Sequence, residues 1–167
     1  MMNSLSMGST FNSEDHPASL KAGAWEQAID KLSFASEGID ELFTCCAAFV
    51  TSPLGLCFAR LSSSAQVLAR KPQARYDAIL LVLLNDGEID CESDGRKWSC
   101  AIGDIFLAPS HHCIRLSSVS GFQALIVSIP RAAFNSRLGQ AKLADARLIK
   151  GQAGAGKVLS SLLGGLS

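Results

Sequence analysis

Long apolar runs, paired cysteines, clustered metal-ligating histidines and an excess of either charge are all missing from this chain, and each absence removes a class of function. The longest unbroken apolar stretch runs from Ala78 to Leu84, far short of the roughly 20 residues that cross a bilayer, so no membrane span is expected. Fifteen Lys and Arg balance fifteen Asp and Glu. No broad positive field therefore draws in phosphate backbones, and these residues alone are not expected to bind nucleic acid. The six cysteines, Cys45, Cys46, Cys57, Cys91, Cys100 and Cys113, contain no C-x-x-C pair, no His at ligand spacing and no regular framework, which argues against a zinc site or a disulfide scaffold. They read as free thiols acting as small core hydrophobes, with redox sensing as the alternative. The first twenty residues lack both the positive start and the apolar stretch of a secretory signal, so a cytoplasmic, reducing location is expected.

What is present is an ordinary globular composition, 48% hydrophobic and 18% charged over 167 residues, enough for one domain with a single core. Met1 to Leu20 is rich in Ser, Asn and small residues without periodicity, which predicts a flexible leader. The body then covers residues 21–150, with 151–167 as a linker and the start of a further helix. Trp25, Ala28, Ile29 and Leu32 follow the helical period from Ala22. Ile39 to Val50 is compatible with either helix or strand. Pro53 is expected to open the strand region, with Leu54 to Leu61 and Ala65 to Ala69 joined by a Ser62-Ser63-Ser64 turn and followed by a polar connection over Lys71 to Arg75.

The clearest local signals follow. Ala78 to Leu84 is apolar at every position, as in a strand covered on both faces. Asp94-Gly95 suits a two-residue type I′ turn, in which both central residues need positive φ. Counting outward from that turn, Ser93 faces Arg96, Cys91 faces Trp98 and Ile89 faces Cys100. Asp90, Glu92, Lys97 and Ser99 fall on the opposite, solvated face. Further strands are expected over Ile105 to Pro109, Cys113 to Ser118 and Phe122 to Ile129, closing a meander, and Pro130 stands at the first position of a helix.

Three stretches together, ILLVLLNDGEIDCESDGRKWSC, GDIFLAP with His111-His112 just after it, and FQALIVSIPRAAF, resemble the N-terminal effector-binding and dimerisation domain of AraC/XylS-family transcription regulators. The resemblance covers Leu54 to Leu138 well and the flanks loosely. It implies a mainly β, cupin-like (double-stranded β-helix or jelly-roll) barrel with flanking α-helices, serving a bacterial regulator as its ligand-sensing and dimerisation module. It also implies a small-molecule effector and a homodimer, with DNA contacted only through a C-terminal helix-turn-helix domain that these residues do not contain.

His111 and His112 invite a metal reading, because cupin enzymes hold a metal through clustered histidines. The hairpin where the first of those histidines is expected has none, so neither metal nor cofactor is expected. Gly151 to Lys157 (GQAGAGK) has phosphate-loop spacing up to the lysine, but Val158 stands where Ser or Thr is needed. A flexible connector is expected instead. Trp98, Phe106, His112, Arg115 and Cys91 are the candidate pocket lining. Arg115 either points inward, needing an anionic partner such as a carboxylate ligand, or is a solvated charge. Val158, Leu159, Leu162, Leu163 and Leu166 share one helical stripe with hardly a charge nearby and are the candidate dimerisation residues. No nucleophile, base and orienting group occur together, so catalysis is not expected. A metal-free cupin-type enzyme and a purely structural dimerisation barrel with a filled interior remain the alternatives.

Overall fold

The computed structural model describes residues 8–39, 42–70, 77–138, 143–152 and 154–165. In chain order the elements are β1 (Gly8–Asn12), α1 (Ala18–Ile29), β2 (Ala35–Glu37), β3 (Cys45–Thr51), β4 (Cys57–Ser63), β5 (Gln66–Arg70), β6 (Ala78–Gly87), β7 (Ile89–Ser93), β8 (Arg96–Cys100), β9 (Ile105–Pro109), β10 (Ile114–Ser118), β11 (Phe122–Pro130), α2 (Arg131–Leu138), β12 (Arg147–Ile149) and α3 (Gly154–Gly164). They build a seven-stranded sheet, β1-β3-β4-β11-β6-β9-β12, and a five-stranded one, β2-β5-β10-β7-β8. From β4 to β11 the chain passes back and forth between the two, the winding of a cupin-like jelly roll.

The expected fold class holds, with two corrections. The strands are not a meander, because only β7 and β8 are sequence neighbours within the stretch β4 to β11 that also pair. Nor is the barrel closed. Among the described residues β1 and β12 end one sheet and β2 and β8 end the other. Three of these four edges are blunted, by length in β2 and β12, three residues each, or by the charges of Arg96 and Lys97 on β8, which discourages pairing with another chain. Gly87 marks one crossing between sheets. Its φ is +80°, and a Cβ there would lie 2.4 Å from the Gly121 carbonyl oxygen, so only glycine fits.

The β7–β8 hairpin has the expected register, Cys91 opposite Trp98 and Ile89 opposite Cys100, with Asp94 and Gly95 both at positive φ. β6 is buried on both faces as its composition requires. Leu80, Val82 and Leu84 join the core between the sheets, while Leu81 and Leu83 join a second apolar layer on the outside of the larger sheet.

Elsewhere the expectations change. Residues 8–12 of the predicted leader form strand β1, which pairs with β3, and the boundary at residue 20 falls inside α1, where Trp25, Ala28 and Ile29 are buried. Trp25 Nε1 donates to Gln66 Oε1 at 3.0 Å, fastening α1 to β5. In the ambiguous Ile39 to Val50 stretch, of which residues 40 and 41 lie outside the described residues, the chain from Cys45 on is β3, a strand with Cys45, Ala47 and Phe49 turned inward. β4 starts at Cys57 rather than Leu54, since residues 52–56 make the β3–β4 turn, held by Gly55 N–H to the Ser52 carbonyl at 2.9 Å. Pro130 ends β11 instead of opening α2. The Lys71 to Arg75 connection lies outside the described residues.

Candidate functional site

The inward faces of β7, β8 and β9 bring three of the expected lining residues together. Trp98 on β8 is half-buried, and its ring meets that of fully buried Phe106 on β9 at 5.5 Å between centroids, tilted by 52°. This contact joins β8, an end strand of the smaller sheet, to β9, the neighbour of end strand β12 in the larger one. Cys91 is directly across from Trp98, and its Sγ lies 3.3 Å from Cys100 Sγ. That thiol–thiol hydrogen bond, and then burial, push the Cys91 thiol well above its ordinary value, so this sulfur stays protonated and unreactive at neutral pH.

The other two lining candidates sit elsewhere. His112 is fastened to the tip of the β7–β8 hairpin, with Nδ1 3.1 Å from Ser93 Oγ and 2.9 Å from Asp94 Oδ2. Asp94 Oδ1 also accepts from the Cys113 N–H at 3.2 Å, so the histidine pins the loop before β10 to the turn. Arg115 points outward on β10, between inward Ile114 and Leu116, and pairs with Glu37 Oε2 at 2.8 Å, both side chains about half exposed. It is the solvated charge of the two readings, not an interior residue. Among the described residues no three His, Cys, Asp or Glu side chains come close enough together to hold a metal ion.

The residue that sequence reasoning passed over is Asp104, at the turn into β9. Only 1% exposed, its carboxylate accepts from Ala101 N–H at 3.1 Å, Gly151 N–H at 2.9 Å and Lys150 Nζ at 2.7 Å. Burial on its own would raise the pKa, but these hydrogen bonds and the Lys150 charge outweigh it and hold the group below its ordinary value. Asp104 thereby clamps the segment that leads into α3.

The backbones meet closely at this clamp. A Cβ on Gly151 would fall 1.8 Å from the Gly103 carbonyl oxygen, and one on Gly156 would fall 2.1 Å from that of Lys150. Gly151 and Gly156 of GQAGAGK serve this docking, so the flexible connector expected here is corrected. A strand, β12, does precede them, but a carboxylate from the protein itself takes the Gly151 N–H. A cavity of about 570 Å³ opens beside the clamp, lined by Ile89, Asp90, Ser99, Cys100, Ile102 and Gln152 among others.

Beyond the clamp, α3 divides its apolar stripe. Leu159 and Leu163 pack on the outer layer of the larger sheet, against Leu81, Leu83, Ile105, Leu125 and Val127. Val158 and Leu162 stay 62% and 67% exposed. Leu166 lies outside the described residues.

Residues 31–167 match the model of the AraC-binding-like domain, and no curated protein matches the chain. Among solved structures, the AraC-like transcriptional activator CuxR superposes on 96% of this chain with a TM-score of 0.72 at 14% identity. At that identity the likeness is one of fold, and the chain spans 60% of the activator's length. A cupin superfamily protein from Desulfitobacterium hafniense DCB-2 overlaps 56% of this chain and 83% of its own, with 14% identity and a TM-score of 0.46. An RmlC-like cupin from Shewanella frigidimarina NCIMB 400 overlaps 59% and 86%, with 16% identity and a TM-score of 0.42.

Proposed function

We propose, since this chain belongs to the AraC-binding-like domain family, that it is the effector-sensing half of a cytoplasmic transcription regulator and pairs with a second copy through α3. Contact with DNA then falls to a domain outside these 167 residues. The observation that carries this reading is the two-sided α3. One side is bound to the jelly roll through Leu159, Leu163 and the Asp104 clamp, and the other presents Val158 and Leu162 to a partner.

The effector is read at half-buried Trp98, the partly accessible ring of the Trp98–Phe106 pair. Phe106 and Asp104 are two residues apart at the start of β9, so a ligand that shifts the Trp98–Phe106 contact also bears on the carboxylate holding α3. It acts only through its difference in affinity between the docked and released arrangements of that helix. A thermal-shift screen of sugars, aromatics and small carboxylates on the wild type and Trp98→Ala tests the sensing step. A compound that raises the melting temperature of the wild type but not of the variant is expected. A panel that moves neither, or both alike, contradicts it.

A second reading, a barrel that only dimerises, is favoured by one observation. The space between the sheets is densely occupied, with Leu80, Phe106 and Ile126 fully buried in one continuous core. It predicts self-association with no ligand response at all.

A further inference from the structure

Eight large apolar side chains stand exposed among the described residues, and they divide into two groups. Leu20 on α1 and Leu42, Ile102 and Val119 in three separate loops stand singly, as surface residues ordinarily do. The other four gather at the outside of the larger sheet. Val158 and Leu162 belong to α3, which covers β6, β9 and β11 there. Val50 on β3 is 41% exposed, and Leu54, in the turn joining β3 to β4, is 69% exposed. β4 lies between β3 and the covered strands, and its half-buried Phe58 pairs with Val50 on one side and Val127 on the other. Phe58 also packs at the margin of the layer that holds Leu159 and Leu163. A cavity of about 450 Å³ stays open beyond the helix, its apolar lining Ala48, Val50, Phe58 and Leu125, with Arg60 beside them.

We propose that this open strip over β3 and β4 seats the α3 of a second copy, so that Val158 and Leu162 of one protomer pack on Val50, Phe58 and Leu125 of the partner subunit, and the same contact repeats in the other direction. Resting on the pairing through α3 proposed above, the seat extends that pairing onto the sheet. The size of a stable interface requires the extension. Such interfaces engage roughly 20 to 30 residues a side, whereas α3 has 11 residues and turns two large apolar side chains outward. Helix against helix is therefore too small by itself. Among the described residues the strip is exposed apolar surface contiguous with α3, because Phe58 and Leu125 belong both to its lining and to the layer under the helix. Val50, Phe58 and Leu125 also suit the centre of an interface, which is apolar and enriched in aromatic rings. A face that carries both the protruding stripe and the seat for it is self-complementary, as a twofold contact needs, and a single rotation closes it.

The test is sedimentation velocity on the wild type, on Val50→Asp with Leu54→Asp, and on Ile102→Asp with Val119→Asp as the matched control, with folding checked by far-UV circular dichroism. The strip variant is expected to weaken the dimer about tenfold, equivalent to about 1.4 kcal/mol, and the control to leave it unchanged. Backbone amide NMR on a dilution series of the wild type keeps the test independent of any variant that fails to fold. The amides of residues 48–50, 58–60 and 125 are expected to shift with the dimer fraction together with those of 158–163, and those of 102 and 119 to stay in place. A dimer indifferent to the strip variant, or one whose dilution shifts are confined to α3, overturns the seat and leaves pairing through α3 standing. A control that weakens the dimer as much as the strip variant does overturns the seat too. A wild type that stays monomeric at the highest concentration overturns both.

Discussion

Replacing Asp104 by Asn removes one charge from a fully buried site and nothing from its shape. The native carboxylate satisfies two backbone N–H groups and an ammonium, and hydrogen bonds to a charged acceptor contribute about 1.5 to 3 kcal/mol each. An amide keeps one acceptor oxygen and turns an NH₂ toward a donor, so at least one of these bonds is lost and another is weakened. A loss of about 2 to 4 kcal/mol in the docking of α3 follows, a large part of the stability of a domain this size. Lys150→Met removes the ammonium alone. That side chain is 63% exposed, water replaces it at Oδ2, and solvent screening limits the loss to about 1 kcal/mol.

Hydrogen exchange resolves the two variants. In Asp104→Asn the amides of Gly151 and residues 154–164 are expected to lose protection together, with the β7–β8 hairpin unaffected. In Lys150→Met they lose little. Wild-type protection of α3 in Asp104→Asn, or a loss in Lys150→Met as large as in Asp104→Asn, refutes the argument that the backbone donors carry the clamp.

Acid acts on the same group. A carboxyl whose folded pKa is below its unfolded value adds stability that is present above the unfolded value, ordinarily 3.8, and is lost as pH falls through the folded one. The acid unfolding limb is therefore expected to be less steep in Asp104→Asn, read by fluorescence between neutral pH and strong acid; identical limbs refute it. Gly151→Ala, whose Cβ meets the Gly103 carbonyl at 1.8 Å, is expected to release α3 as fully as Asp104→Asn. Gly23→Ala, with open space around it in α1, is expected to stabilise by up to about 1 kcal/mol. Thermal melts compare the two. Thiol titration of the native protein is expected to find two fast groups, Cys46 and Cys113, which are the exposed pair. The other four open only on unfolding, Cys45 among them, its thiol pushed up to about 12 chiefly by burial. A third fast thiol contradicts this.

What was legible in the sequence is what short-range physics determines. The Asp94-Gly95 turn set the register of β7 and β8 because two adjacent positive φ angles leave little choice, and the unbroken apolar run of β6 required cover on both faces. Sheet membership was not legible. β4 and β5 are joined by a two-residue link yet pair with different sheets, and no local signal separates a turn within a sheet from a crossing between two. β1, β2 and β12 are short and polar enough to resemble loop, and only their partners make them strands. The clamp escaped for a related reason. Asp104 and Lys150 are 46 residues apart, and a Gly-Asp pair before an apolar run reads as a turn and nothing more. Of the expected pocket, Trp98, Phe106 and Cys91 lie together because alternation put them on inward faces. Arg115 obeys the same alternation outward.

Sedimentation velocity over a wide concentration range, on the wild type and on Val158→Ser with Leu162→Ser, most directly tests whether this domain pairs through α3. A dimer that the double variant converts to monomer, with the far-UV circular dichroism of the wild type retained, is the predicted result. A wild type that stays monomeric at the highest concentration, or a dimer indifferent to both substitutions, contradicts the account.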